Sequence, residues 1–407
     1  MTLSEALVVN GRVMLQAGKA LSTTDIGALQ RRFGDLRMRV GDPILDDAVE
    51  FEDDSYERSV ADEARRMVAE SIFRINRQFV ERASRGGGER FCVGSAGVDA
   101  LHSSLEELMR FLKDHPTSAA LITRCLDTRS YLAMHTGNTF YLSMLLGFKV
   151  LDYVCEERNR QTRARSLPSN TARDLTPLGL GTVAMDLGML PLQHLFESDQ
   201  PLSAADRRAI RDHPCAGAAM LPDSFSSVAR TIVRTHHENY DGSGYPQGLE
   251  ADKLHVFTRI VRIADAFDAA TSDCVYKGAK SPIRVLWEML AGPYRHCYDP
   301  KLMATFARLI QPFPVGAKLR LEDGRYAVVV RYNRRNPFKP TIVIAFDARN
   351  RPLPSQSLQE PLDLADHPYL RVMSFGDEDL SFVYKSPPEE RSQPRQEPTT
   401  LLETAYP

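Results

Sequence analysis

The stretch HHENYDGSGYP, residues 236–246, is the one run of this sequence that ordinary packing does not explain. Two adjacent histidines are followed by a carboxylate, a short polar segment and a Gly/Pro turn, with helix-like sequence before and after. Two imidazoles at a helix end can reach one metal ion from two directions, and DGSG favours a tight turn because glycine tolerates positive φ. The stretch therefore predicts a metal site closed by a loop. The alternative, a pair of surface or capping histidines, is disfavoured by the surrounding motif.

A second candidate ligand lies upstream of this stretch. Asp186 is the only charged residue in GTVAMDLGML, residues 181–190. Burying a carboxylate without a partner is costly, so Asp186 should meet a cation or strong hydrogen-bond donors. The alternative is a helix C-terminal residue followed by Gly188 as the cap.

Two more carboxylates follow the stretch in RIVRIADAFDAA, residues 259–270. Asp265 and Asp268 are three residues apart, which places them on one face of a helix. One of them could bind metal while the other pairs with Arg259 or Arg262.

Histidines elsewhere extend the candidate ligand set. His213 precedes a proline in RDHPCAG, and His135 lies on a rather apolar helix face in YLAMHTGNTFYL. Alone, His213 would be unremarkable and His135 would be an ordinary core histidine. Together with the residues above they offer mixed nitrogen and oxygen ligands, which suit Fe, Mn, Zn, Ni or Co rather than Ca or Mg. Two such ions bridged by a carboxylate can act on a phosphodiester.

The hydrophobic periodicity predicts a mainly α protein with smaller modules at its ends. Helices are predicted at 101–113, 118–127, 130–153, 177–190, 204–220, 226–238, 255–271, 281–290 and 300–310. Short alternating segments and the turn signal Asp323-Gly324 predict strands near both ends. The predicted segments are a small α/β module (1–47), a linker helix and loop (48–98), a helical domain (99–311), a β-rich appendage (312–385) and a disordered tail (386–407).

Composition excludes several classes of protein. The 407 residues carry a formal net charge of −2, which leaves no basic surplus for binding DNA. The six cysteines form no CxxC pair, so reduced thiols are expected. The first residues lack the pattern of a signal peptide, and charges interrupt the apolar runs before a membrane-spanning length. A cytoplasmic protein is the expectation.

The order of these elements and the motif HHExxDGxGYP resemble the HD-GYP family, a subclass of the HD metal-dependent phosphohydrolases. The resemblance covers about residues 99–311, and the β-rich segment 313–348 is similar to a tail that many members carry. It implies an HD-type helical bundle, a bacterial signalling role and hydrolysis of cyclic di-GMP. It also leaves open a homodimer, and a diguanylate cyclase or other signalling protein as partner.

The resemblance also implies roles for single residues. The implied metal ligands are His135, Asp186, His213, His236, His237 and Asp265. Of these, Asp186 would bridge two ions and act in catalysis. The implied nucleotide-binding residues are Gly244, Tyr245, Pro246 and Lys277.

Four positions depart from the family pattern. The family's HDxGK reads MDLGM at residues 185–189, so Met185 replaces the histidine of the pair and Met189 replaces the lysine. Tyr131 stands where some members have a glutamate, and Cys274 where arginine is usual. A thioether is a soft ligand, and an uncharged Met189 removes a stabilising charge worth ~10²–10³ in rate.

Two readings of the function follow. In the first, the protein is a slowed cyclic di-GMP phosphodiesterase that acts through a metal-bound hydroxide and holds one or two divalent ions. In the second, the same fold is a catalytically inactive module that binds the nucleotide or a partner protein. A weaker third reading makes the helical domain a scaffold for the terminal modules.

Overall fold

The computed structural model describes residues 2–3, 7–9, 12–15, 19, 40–41, 131–162, 167–196, 203–272, 279–333, 336–354 and 360–384. They belong to two compact units, one of Met1–Glu52 with Phe313–Ser381 and one of Asp53–Pro312 with Phe382–Pro407. The helices predicted at 101–113 and 118–127, the linker helix and loop predicted at 48–98, and the predicted disordered tail lie outside the described residues.

The second unit is helical, which confirms the predicted fold class. Its α-helices are α1 (Tyr131–Lys149), α2 (Leu151–Gln161), α3 (Ser169–Arg173), α4 (Thr176–Ala184), α5 (Ala204–Met220), α6 (Ser227–Thr235), α7 (Val256–Thr271), α8 (Pro282–Leu290) and α9 (Pro300–Leu309). A long 3₁₀ segment, Leu187–Phe196, follows α4. Where prediction and structure overlap, most helices begin and end within a few residues of their expected bounds. The N-caps Ser203 and Ser226 explain two of the starts, since each side chain accepts a backbone N–H of its first turn.

Helix α7 forms the centre of this unit. Every residue from Val256 to Ala270 is buried, and the helix packs against α1. A helix buried all round is normally apolar, yet α7 carries Arg259, Arg262, Asp265 and Asp268. Buried charges require partners, so α7 brings a set of paired polar groups into the core.

The stretch Ser169–Leu192 is long and apolar enough to cross a membrane, with a mean hydropathy of 1.3. In the structure it is divided between α3, α4 and the start of the 3₁₀ segment, and 67% of its most apolar window is buried inside the protein. This stretch supplies part of the core of the helical unit.

Gly188 lies where the 3₁₀ segment touches α5. The alternative reading of Gly188 as a left-handed helix cap is wrong, because its φ is not positive. A Cβ at this position would collide with the carbonyl oxygen of His213 and lie 2.8 Å from the backbone nitrogen of Gly217. Gly188 is therefore required for the close approach of the turn after α4 to the helix that carries His213.

We expect Gly188→Ala to destabilise the helical unit by about 3 kcal/mol, because backbone atoms cannot move aside as a flexible side chain can. Gly217→Ala is the matched control on the other side of the same contact. Its Cβ would meet the nitrogen of Gly188 at 2.9 Å, and alanine would gain helix propensity there. Thermal unfolding followed by circular dichroism should give Gly188→Ala a clearly lower Tm than Gly217→Ala. Equal losses of Tm in the two variants would contradict this account.

The polar, arginine-rich stretch ERNRQTRARSLPSNTARD, residues 157–174, favours a solvated loop by its sequence, with an anion-binding patch as the alternative. The loop prediction is wrong over much of this segment, since α2 extends to Gln161 and α3 forms within it. Buried Arg158 explains why, because its guanidinium donates to the carbonyl oxygens of Thr171 (2.6 Å), Ala172 (3.1 Å) and Asp174 (2.8 Å). It thereby satisfies carbonyls at the end of α3.

The other unit is made of antiparallel strands. They are β1 (Thr2–Leu3), β2 (Leu7–Val9), β3 (Arg12–Leu15), β4 (Val40–Gly41), β5 (Lys318–Leu321), β6 (Tyr326–Arg331), β7 (Thr341–Phe346), β8 (Leu362–Asp363), β9 (Val372–Phe375) and β10 (Glu378–Asp379). The last six form one sheet in the order β10-β9-β5-β6-β7-β8, and β5 joins β6 through the predicted turn, where Gly324 has φ 86°. The alternating segment LSFVYK, which starts at Leu380, predicts a strand, and this is wrong for Ser381–Tyr384, which form a 3₁₀ turn.

Candidate metal centre

Separate elements of the helical unit bring the predicted ligands to one buried place. His135 lies on α1, Asp186 in the turn after α4, His213 on α5 and Asp265 on α7, while His236 and His237 follow the last turn of α6. Each of the six is at most 8% exposed. These side chains, up to 130 residues apart in the chain, meet in the core.

Three histidines form the centre of this site, and we call His213, His236 and His237 the histidine cluster. Each offers a ring nitrogen, and the three nitrogens lie within 4.8 Å of one another. Asp186 completes the arrangement, with Oδ1 at 3.3 Å from Nε2 of His213 and 3.8 Å from Nε2 of His236. Three imidazoles and one carboxylate are a donor set that can hold a divalent metal ion.

Backbone contacts fix the orientation of two rings in the histidine cluster. Nδ1 of His213 lies 2.6 Å from the carbonyl oxygen of Ile210, and Nδ1 of His236 lies 2.9 Å from that of Val233. A carbonyl oxygen can only accept, so each Nδ1 carries the hydrogen. In the neutral rings both Nε2 lone pairs then face each other at 3.1 Å. Two acceptors at this distance need a proton or a metal ion between them.

The pKa values agree with neutral imidazoles beside an ionised carboxylate. Burial and the neighbouring His213 lower the pKa of His236 to about 4. Burial and His236 hold the pKa of His237 well below its ordinary value. Burial alone would raise the pKa of Asp186, but pairing with His213 and the nearby His135 and His236 outweigh it and lower that pKa to about 2. The neutral imidazole and the ionised carboxylate are the forms of these side chains that bind metals.

Two buried atoms in this site lack hydrogen-bond partners. Oδ2 of Asp186 and Nδ1 of His237 are both enclosed and unpaired. Leaving such atoms unsatisfied costs about 1–3 kcal/mol each. A cation placed between these side chains would remove that cost, so the residues present fit a metal ion.

His135 lies between two carboxylates of α7. Its Nε2 is 3.0 Å from Oδ1 of Asp265, and its Nδ1 is 2.8 Å from Oδ2 of Asp268. Burial alone would lower the pKa of His135, but neighbouring Tyr131 and the hydrogen bonds with the two carboxylates outweigh burial and raise it well above its ordinary value. A carboxylate on the far nitrogen of a histidine is the usual support of a metal-binding imidazole.

The roles predicted for the two α7 carboxylates need one correction. Asp268 was expected to pair with an arginine if Asp265 bound metal, but its partners are His135 and Asn138, whose Nδ2 donates to Oδ1 at 2.9 Å. The arginine contact belongs to Asp265, at 3.3 Å from Nη1 of Arg262. Sequence reasoning missed the support that Asp268 gives to His135. Their separation of 133 positions in the chain left only the i,i+3 spacing on α7 as a signal.

The loop at residues 244–249 contacts the chain at and just after the paired histidines. The carboxylate of Glu238 accepts the backbone N–H groups of Gln247 (2.6 Å) and Leu249 (3.0 Å). A Cβ on Gly244 would collide with the backbone of His237 and Asn239. These contacts press the turn against the backbone of the histidine cluster.

An aromatic stack leads from this loop towards the surface. The ring of Tyr245 lies 4.8 Å from that of His237 at an angle of 29°, and the peptide before Pro246 is cis. The guanidinium carbon of exposed Arg211 stands 4.9 Å above the tyrosine ring. The buried ring of His237, the ring of Tyr245 and the exposed guanidinium of Arg211 thus form a series from the core to the surface.

Two of the positions that depart from the family pattern, Met185 and Met189, are buried in the structure. Met185 is fully buried at the end of α4, and Met189 packs in an apolar cluster with Leu132 and Ile210. Tyr131 is stacked parallel to His135, with ring centroids 5.8 Å apart. Lys277 and Cys274 lie outside the described residues.

Comparisons with known proteins identify a family and several relatives. The HD domain family model matches residues 160–302. A cyclic di-GMP phosphodiesterase of Thermotoga maritima is 32% identical over 252 residues, which cover 57% of this chain and 68% of that protein. One of Pseudomonas aeruginosa is 27% identical over 265 residues, or 64% of this chain and 59% of that protein. A 3′3′-cGAMP-specific phosphodiesterase of Vibrio cholerae is 42% identical over 105 residues, or 25% of this chain and 20% of that protein. The chain thus spans less than two thirds of the length of the last two relatives.

Proposed function

This chain belongs to the HD-GYP family of HD-domain proteins, and from that premise we propose that it is a metal-dependent phosphodiesterase that cleaves cyclic di-GMP slowly. The observation that supports a metal centre most directly is the 3.1 Å contact between the Nε2 atoms of His213 and His236, whose hydrogens are on the opposite nitrogens. Relatives named as cyclic di-GMP phosphodiesterases support the substrate.

In this proposal His213, His236, His237 and Asp186 hold a divalent cation, with His135 and Asp265 next to it. A bound cation would supply Lewis-acid polarisation of the phosphodiester and a lowered pKa for the attacking water. The unpaired Oδ2 of Asp186 is available to accept a hydrogen bond from that water. The Nδ1 contacts of the two cluster histidines keep their Nε2 atoms aimed inward.

The loop residues Gly244, Tyr245 and Pro246, together with Lys277, would bind the nucleotide. Tyr245 offers a ring already stacked on His237, and Arg211 beside it adds a positive charge that suits a phosphate. Mixed nitrogen and oxygen ligation favours Fe, Mn, Zn, Ni or Co. The setting we propose is cytoplasmic, in bacterial signal transduction, with a diguanylate cyclase as a candidate partner and a homodimer as a candidate assembly.

The direct test is an assay of the purified full-length chain. Metal content would be measured first, and then hydrolysis of cyclic di-GMP and of 3′3′-cGAMP with added Mn²⁺ or Fe²⁺. We expect bound metal and slow, metal-dependent cleavage of cyclic di-GMP that chelation abolishes. Faster cleavage of 3′3′-cGAMP than of cyclic di-GMP would support the proposed metal-dependent hydrolysis but replace the proposed substrate. Metal-independent cleavage would overturn the proposal.

A second candidate function is a non-hydrolysing module that binds the nucleotide or a partner protein. The apolar packing of Met189 and the complete burial of Met185 favour it, since neither residue supplies a ligand or charge to the centre. Tight binding of cyclic di-GMP without any product, in the presence of saturating Mn²⁺, would select this function over the first.

A further inference from the structure

One positive charge of the chain itself lies beside the metal centre. Arg262 is buried on α7, and its Nη1 is 3.3 Å from Oδ2 of Asp265. Its Nε donates to Oδ1 of Asn239 at 2.8 Å, and its guanidinium lies 5.8 Å from the centroid of the Tyr298 ring. These contacts hold the cation in one place. An arginine remains charged at every pH that the protein meets.

A second metal ion would need Asp265 as a ligand, but Arg262 already occupies the place beside that carboxylate. That carboxylate is already engaged on both oxygens, by His135 on Oδ1 (3.0 Å) and by Arg262 on Oδ2 (3.3 Å). Met185 offers no nitrogen or oxygen to replace these contacts. Asp186 is the predicted bridging ligand, and its Oδ2 has no hydrogen-bond partner, whereas both oxygens of Asp265 have one.

The fixed charge of Arg262 also opposes a second ion. A divalent cation bound to Oδ2 of Asp265 would lie within a few ångströms of the Arg262 guanidinium, whose Nη1 is 3.3 Å from that oxygen. Uncompensated charge in a low-dielectric interior is strongly unfavourable.

We infer that this centre holds one divalent cation per chain, bound by the histidine cluster and Asp186, and that Arg262 occupies the place of a second cation at Asp265. This inference rests on the proposed metal centre and adds its stoichiometry. Arg262 acts as a positioning residue that fixes Asp265 and excludes the second ion.

The test is a metal titration of the full-length chain stripped of metal. Equilibrium dialysis against Mn²⁺ with elemental analysis gives the number of ions per chain, and electron paramagnetic resonance distinguishes isolated Mn²⁺ from a spin-coupled pair. We expect one isolated ion in the wild-type chain and two coupled ions in Arg262→Gln. Arg259→Gln is the matched control, because Arg259 lies one turn earlier on α7, is equally buried and pairs with Glu157 and Asp299 instead. It should keep one ion.

The outcomes separate this inference from the proposed function. Two ions in the wild-type chain would overturn the inference and leave the metal-dependent function standing. No bound ion at saturating Mn²⁺ would overturn both. A single ion in folded Arg262→Gln would overturn the role of Arg262. If Arg262→Gln does not fold, Arg262→Met combined with Asp265→Asn removes the pair together, and the wild-type stoichiometry still decides the main claim.

Discussion

His236→Ala should remove the metal from the purified protein and abolish hydrolysis of cyclic di-GMP. His236 is fully buried, and its ring lies against both other members of the histidine cluster, with centroid distances of 5.1 Å and 4.1 Å. Loss of a supporting residue alone lowers metal affinity about 10–100-fold. Loss of a direct ligand should exceed that, so Mn²⁺ affinity should fall more than ~100-fold.

Metal-dependent stability gives this experiment a second readout. An ion that binds only the native state at about 100 times its Kd raises the free energy of unfolding by about 2.7 kcal/mol. Added Mn²⁺ should therefore raise the Tm of the wild-type chain and leave that of His236→Ala unchanged. His367→Ala is the control, because His367 lies in the other unit and its Nδ1 contacts only the backbone oxygen of Asp363. A His236→Ala protein that keeps its metal would show that the cation binds elsewhere.

Met185→His should raise the rate of cyclic di-GMP hydrolysis about 100-fold, the lower end of what one preorganised group contributes. Met185 directly precedes Asp186 and is buried, and an imidazole is no larger than its side chain. The variant places an imidazole at the residue that precedes Asp186, whose buried Oδ2 makes no hydrogen bond. The measurement is kcat with saturating Mn²⁺, alongside the metal content of each protein.

Met185→Leu is the matched control, since it changes the side chain without adding a ligand and should leave kcat unchanged. We do not pair this test with Met189→Lys. Met189 packs with Leu132 and Ile210, so a lysine there would bury an ammonium group among apolar side chains. If Met185→His binds metal as the wild type does but is no faster, the non-hydrolysing module becomes the better account.

Local patterns predicted much of the helical fold. Caps such as Ser203 and the 3.6-residue periodicity of α5, α7 and α9 are local signals, so the bounds of these helices follow from short windows of sequence. Secondary-structure predictions failed where a contact between residues distant in the chain determines the local structure. Arg158 organises α3 by binding carbonyl oxygens that lie 13 to 16 positions away, and no periodicity reports such a contact.

The site shows the same division. The resemblance to the HD-GYP family implied which side chains would meet, and it rests on adjacent histidines before a Gly-rich turn, which are an unusual combination. Spacing could not predict their hydrogen-bond partners. The pairing of Asp268 with His135 and the clamp of Arg262 between Asn239 and Asp265 depend on the packing of α1 and the loop against α7. Such contacts arise only from the tertiary arrangement.

The loop is attached to the two histidines that precede it, and this attachment constrains how the protein could evolve. Glu238 holds the turn at Gln247, and Gly244 lies against the backbone of His237. The surface proposed to seat the nucleotide is therefore built on the same few backbone atoms that carry the metal-binding rings. A descendant that abandoned turnover and served only as a receptor would still need that backbone. Selection for the binding surface alone is thus enough to keep the histidines in place.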